Sequence, residues 1–237
     1  MFEIDHMQSF NTTERLEQGL TLVLPGIEGL SRWNRNIAHG IDRGGFRGAI
    51  EIHDWTRGKL FYLWNLRSRQ RHQEQAQVLA EKIMHYQDHH PGRPVFIVGH
   101  SGGAAMIPLT LEKLPTDRSI TSAALLVPAL SPSYSMETAV ARTEHGLWHV
   151  TSRWDLWFLG LGTLIAGTVD GRHCISAGNV GFSPEVMTRS HLSGKKQIHR
   201  LPYDFSMLRT GHWGGHLSVT SPQFIAEYVT PRLIGYL

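Results

Sequence analysis

The stretch Val95-Phe96-Ile97-Val98-Gly99-His100-Ser101-Gly102-Gly103-Ala104-Ala105 decides how the chain reads. An apolar, β-branched run ends at a serine with a glycine two residues away on each side, and small residues able to open a helix follow. This is the local pattern of a nucleophile elbow, in which a strand turns sharply into a helix and holds a serine hydroxyl at the tip. Gly99 and Gly103 fit a turn where backbone approaches backbone, since glycine alone has no Cβ to clash. The Gly102 amide then points at the oxygen of a bound carbonyl, reinforced by the positive end of the helix dipole.

Outward from the elbow, strands and helices alternate. Leu20–Leu24 reads as a strand broken by Pro25-Gly26, and Ser31 is placed to cap a helix through about Ile41. A second strand is expected over 49–53, ending at Asp54-Trp55. Ala76, Leu79, Ala80 and Ile83 fall at helical spacing in a long polar segment from Asn65 to the stop at Pro91-Gly92. Beyond the elbow, Pro108 should kink or shorten the helix. Further strands are expected over 120–127, 147–151 and near 197–201, with a glycine-broken helix from Leu156 and an irregular stretch over 167–195. A last helix is expected with Ser221 as cap and Pro222 in its first turn. The pattern predicts an α/β class fold: a mainly parallel sheet of about six strands with helices on both faces. Ligands then belong at the carboxyl edge of the strands. Residues 1–19 read as an N-terminal extension and 20–237 as one domain.

Composition narrows the function. The chain has 237 residues, 41% hydrophobic and 18% charged, which suits a single domain with a substantial core. The formal charge of +3 comes from scattered arginines, without the basic stripe that nucleic-acid binding needs. Cys174 is the single cysteine, so neither an intrachain disulfide nor a cysteine zinc site can form. The closest histidine groupings, His89-His90 and His212 with His216, lack acidic partners at metal-ligand spacing. No Lys-Ser/Thr follows Gly103, so the glycines are not a P-loop. No cofactor is expected. The longest apolar run, 156–169, is too short and glycine-rich to span a bilayer. With no signal peptide opening the chain, a cytoplasmic location is expected, or secretion if a leader has been removed.

A serine nucleophile needs a base, and the base needs an acid to orient it. On this strand order the acid and then the histidine follow the elbow. Asp155, just beyond a strand, fits the acid best; Asp170, in a turn, is the reserve, while Asp117 lies at the wrong sheet edge and Asp204 comes late. The glycine-rich loop Gly211-His212-Trp213-Gly214-Gly215-His216 supplies the base. His216 is preferred because paired glycines before it allow close approach; His212 is the alternative base, or otherwise a substrate contact. His100 is expected to pack beside the elbow. The backbone N–H of Ile27 is the choice for the second oxyanion donor, such a donor being worth about 3 kcal/mol. Trp55, Trp154, Trp157 and Trp213 are candidate walls of an apolar acyl cleft, or ordinary packing residues.

The elbow motif, Asp155 and His216 in that order, with Pro25-Gly26-Ile27 ahead of them, resemble the α/β-hydrolase superfamily over most of residues 20–237. The resemblance implies a three-layer fold with Ser101 as nucleophile, His216 as general base and acid, and Asp155 as orienting carboxylate. Three departures stand out: Pro25 replaces the usual histidine before the oxyanion glycine, residues 1–19 are too few for the usual first antiparallel strands, and 128–146 leaves no room for a cap domain. The trimmed plan is similar to small lidless esterases, lipases and cutinase-like enzymes. It implies a serine-dependent carboxylic ester hydrolase acting on a small or lipid-like ester, or even a polyester. The alternatives are an amidase, thioesterase or acyltransferase with the same triad, or a silent binding module on the fold.

Overall fold

The computed structural model describes residues 10–152, 167–192 and 194–235. Its sheet is built from β1 (Leu20–Leu24), β2 (Ala49–Ile52), β3 (Val95–His100), β4 (Ser122–Leu126), β5 (Leu147–Val150) and β6 (Ile198–Leu201), in the spatial order β2-β1-β3-β4-β5-β6. Every neighbouring pair is parallel. The central strands β1, β3 and β4 are buried along their whole length, as their unbroken apolar runs require when both sheet faces are covered. The edge strand β2 is half-buried at its end, where Glu51 pairs with Lys82. Its outer backbone is met by the segment before β1: the Ile50 amide donates to Phe10 O at 2.9 Å, and Arg15 reaches Asp42 at 2.8 Å.

Chain direction reverses between β1 and β3. From β1 the chain steps outward to β2, then crosses back over β1 to β3 and proceeds through β4, β5 and β6. The crevice at such a switch point is where ligands bind in open parallel sheets, and the loops after β1 and β3 border it.

The helices form two layers. The Ser31 side chain caps α1 (Arg32–Arg43) in a reciprocal box with Asn34. This helix packs on the C-terminal helix, residues 222–234. The approach is close enough that a Cβ on Gly40 would stand 2.5 Å from Ile225 Cβ. Ser221, expected as the cap of that last helix, instead donates its hydroxyl to Thr210 O, and Pro222 begins the helix without a side-chain cap. The predicted helix from Asn65 is two helices, α2 (Tyr62–Arg67) and α3 (Arg69–His89), broken at Ser68. On the opposite layer α3 lies against α4 (Gly102–Leu111), which keeps Pro108 inside it and ends one turn later. All ten residues of α4 are buried, which is why it is apolar all round. The stretch expected to be irregular over 167–195 holds two short helices, Ala177–Val180 and Pro184–Arg189. The Ala177 and Gly178 amides donate to Leu130 O and Pro128 O, docking this stretch on the loop after β4. The helix expected from Leu156 lies outside the described residues.

Candidate active site

Ser101 sits between β3 and α4 at φ 54°, ψ −114°, a conformation that ordinary side chains avoid. The surrounding backbone holds it there: Ser101 N donates to Leu126 O at 2.9 Å, and Ala129 N donates to Ser101 O at 3.1 Å. Between those two contacts Val127 also takes a positive φ, 46°, so the β4 turn shares the strain. The flanking glycines are sterically required. A Cβ on Gly99 would lie 2.5 Å from Gly103 O, and one on Gly103 would lie 2.3 Å from both Leu24 O and Pro25 O. Both obstacles are backbone and cannot swing aside. Gly103→Ala is therefore expected to destabilise the protein by about 3 kcal/mol or more, checked by urea unfolding. In the folded fraction it should also displace the loop after β1.

That loop carries Ile27. A Cβ on Gly102 would stand 2.8 Å from Ile27 Cγ2 and 3.4 Å from Ile27 N, so the Ile27 amide lies against the first residue of α4. The Gly102 N–H, at the first position of a helix, has no intrahelical acceptor. The Gly102 and Ile27 amides thus lie near one another beside the elbow.

Asn65 and His72, which the motif reading passed over, hold this loop together with Trp55. Buried Asn65, on α2, donates from Nδ2 to Ile27 O at 2.9 Å and to Gly58 O at 3.2 Å, and accepts from Arg57 N at 3.0 Å. Its own carbonyl lies 2.6 Å from His72 Nε2, and the His72 ring meets Trp55 edge to face. Trp55 Nε1 donates to Pro25 O at 2.7 Å. Trp55 is fully buried, so it braces the loop after β1 from beneath and does not wall a cleft as the sequence suggested. A single asparagine in a polar helix start carries no signal of such a role. Asn65→Ala is expected to lower kcat for a soluble ester about 10- to 100-fold with a smaller change in KM, because Ile27 N–H loses its fixed position. Steady-state kinetics of the folded variant checks this.

The histidine loop is fastened at both ends of the site. His100 Nε2 lies 2.9 Å from His216 O, and their rings are 4.7 Å apart. A carbonyl can only accept, so Nε2 bears the hydrogen. Complete burial, with His216 beside it, pushes the His100 pKa down to about 3 and keeps the ring neutral. Ser152, just past β5, donates to Gly214 O. Ser218 Oγ accepts from Trp213 N at 3.0 Å and Gly215 N at 3.1 Å. His216 is thereby set beside the elbow, half-buried.

His212 points the other way. It is fully buried between Tyr203 and Phe224, with Nδ1 3.1 Å from Ser218 Oγ, and burial pushes its pKa down to about 4. This corrects its reading as a base or a substrate contact. Trp213 is 72% exposed at the rim. Asp170, the reserve acid, spends its carboxylate on Ser131: Oδ1 accepts from the amide at 2.9 Å and Oδ2 from the hydroxyl at 2.5 Å. Asp204 caps the turn at Ser206, and Asp117 is exposed before β4, at the far edge. Asp155, Trp154 and Trp157 lie outside the described residues. Glu28, beside Ile27, is a carboxyl the sequence did not flag. Its pKa is raised by burial, an effect opposed in part by its own backbone amide and by the nearby His216. Among the described residues no cluster of side chains could hold a metal ion, and no helix is long and apolar enough to cross a membrane.

The strand order, the strained serine between β3 and α4 and the paired amides give the chain the α/β-hydrolase fold. A family model described as "Bacterial virulence protein (VirJ)" matches residues 35–142, a little under half of the chain and inclusive of the elbow. No curated protein sequence matches. Among solved structures, the chain is similar to an alpha/beta superfamily hydrolase of Xanthomonas campestris pv. campestris, with 18% identity over 87% of this chain and 96% of that one, TM-score 0.45. It is also similar to a cutinase-like protein from Cryptococcus sp., with 14% identity over 95% and 97% of the two chains, TM-score 0.46.

Proposed function

We propose that the protein is a serine-dependent carboxylic ester hydrolase working through an acyl-enzyme. The observation that carries this is the strained Ser101, held by Leu126 and Ala129 with the Gly102 and Ile27 amides at its tip. Ser101 Oγ attacks the ester carbonyl as His216 takes its proton. The carbonyl oxygen becomes an oxyanion and accepts from Gly102 N–H and Ile27 N–H. His216 then gives the proton to the departing alcohol, and water repeats the sequence in reverse to free the acid. Asp155 is the carboxylate assigned to orient His216. His100 N–H on His216 O fixes the loop that presents the base, a tie between the elbow and its partner. Since the 128–146 connection leaves no room for a cap domain, short and medium acyl esters and exposed lipid-like or polyester chains are the substrate class.

The test is release of p-nitrophenol from acetate, butyrate, octanoate and palmitate esters, with a fluorophosphonate probe and mass spectrometry of the labelled peptide. Turnover of at least the shorter esters, and label on Ser101, support the reading. No turnover of any ester and no label at Ser101 overturn it.

A further inference from the structure

We propose that the carboxyl edge of the sheet is a docking face for a lipid surface bearing anionic headgroups. Seven of the eleven large apolar side chains exposed among the described residues lie on three segments that directly follow strands, 25–32 after β1, 53–68 after β2 and 202–221 after β6. Leu60 is 94% exposed, with Phe61 and Trp64 beside it after β2; Leu30 follows β1; Phe205 and Trp213, exposed by 73% and 72%, follow β6. A soluble surface scatters such residues, whereas one edge collects them here.

Charge on that edge selects the occupant. Over residues 25–32, 53–68 and 202–221, Arg32, Arg57, Arg67 and Arg209 are exposed against one exposed carboxylate, Asp204. The Arg57 guanidinium lies 4.4 Å from the Trp64 ring centre, placing a cation beside an aromatic amphipath suited to the headgroup level. A second copy of the chain on this face would bring arginines against arginines. Neutral lipid offers this net positive edge no electrostatic attraction.

The face is not a loose appendage. Asn65 follows Leu60, Phe61 and Trp64 directly and bonds to Ile27 O, so the apolar tip is joined to the oxyanion loop by one side chain. Docking through it turns the mouth of the proposed ester site toward the lipid. The inference shares that site's location, but its test needs no catalysis.

The test is co-sedimentation of the full chain carrying Ser101→Ala with vesicles of phosphatidylcholine alone or mixed with phosphatidylglycerol. Binding to the mixed vesicles, weakened by salt, is expected. The added pair Leu60→Ser and Phe61→Ser should lower that binding at least about tenfold, because two exposed side chains no longer enter the interface. Arg57→Glu should lower it on the mixed vesicles. With Ser101 present, the Leu60/Phe61 double variant should keep wild-type turnover of p-nitrophenyl acetate and an unchanged unfolding midpoint, since neither side chain is in the core. No binding to either vesicle, equal binding to both, full binding by the double variant, or self-association of the chain through this face would each overturn the proposal.

Discussion

Replacing Ser101 by alanine is expected to lower kcat on p-nitrophenyl butyrate by about 10⁵-fold or more, with His216→Ala nearly as severe. The two residues act as one unit, so the double variant should be little slower than either single one. His212→Ala is the informative contrast. That ring is packed between Tyr203 and Phe224, so its removal leaves a cavity and should cost stability by about 2–4 kcal/mol. The folded variant should still turn over ester at close to the parental rate. Wild-type kcat in His216→Ala, with loss in folded His212→Ala, would reverse the assignment of the base.

Acid should unfold this protein earlier than its charge suggests. Burial holds His100 and His149 at about 3 and His212 at about 4, with His216 adding to the effect on His100 and Arg200 on His149. In the unfolded chain a histidine titrates near 6.5. Each folded value is depressed, so the unfolded state binds more protons as pH falls, and stability drops below about pH 6.5. At pH 5 all three remain neutral in the folded protein. The penalty there is set by the gap of about 1.5 pH units below the unfolded value, or about 2 kcal/mol for each ring. Urea unfolding should show lower stability at pH 5 than at pH 7.5, and His212→Phe should shrink that difference by about 2 kcal/mol, the share of one buried ring. Glu28 and Glu112 have raised values and act in the opposite direction as pH falls, so they offset part of the histidine penalty. A stability that is flat between these pH values would show that the rings find protons or partners when folded.

Much of the architecture was legible because it rests on local rules. The apolar runs of β1, β3 and β4 are unbroken because both faces are covered, and the glycines around Ser101 are where only glycine fits. The Ser31 cap, the Ser101 turn and the Ile27 loop stand where pattern and turn chemistry put them. Ser221 stands at the cap position the sequence indicates, but its hydroxyl goes to Thr210 O, since a serine before proline satisfies the same sequence rule whether or not its side chain meets its own helix. The break at Ser68 was invisible because polar helix residues continue on both sides of it.

The site itself divides along the same line. The sequence by itself determined the tight turn at Ser101 and the parallel pairing of the strands, since the elbow needs small residues at fixed offsets and strand–helix alternation dictates parallel pairing; the spatial order of the strands came from the tertiary structure. Only the tertiary structure separates His212 from His216 in their surroundings, because burial and loop direction depend on what packs around the loop: Tyr203 and Phe224 enclose one ring, and His100 holds the backbone of the other. The same holds for Trp55 and Asn65. Their hydrogen bonds reach residues 30 and 38 positions away, and a contact at that separation leaves no periodicity to read.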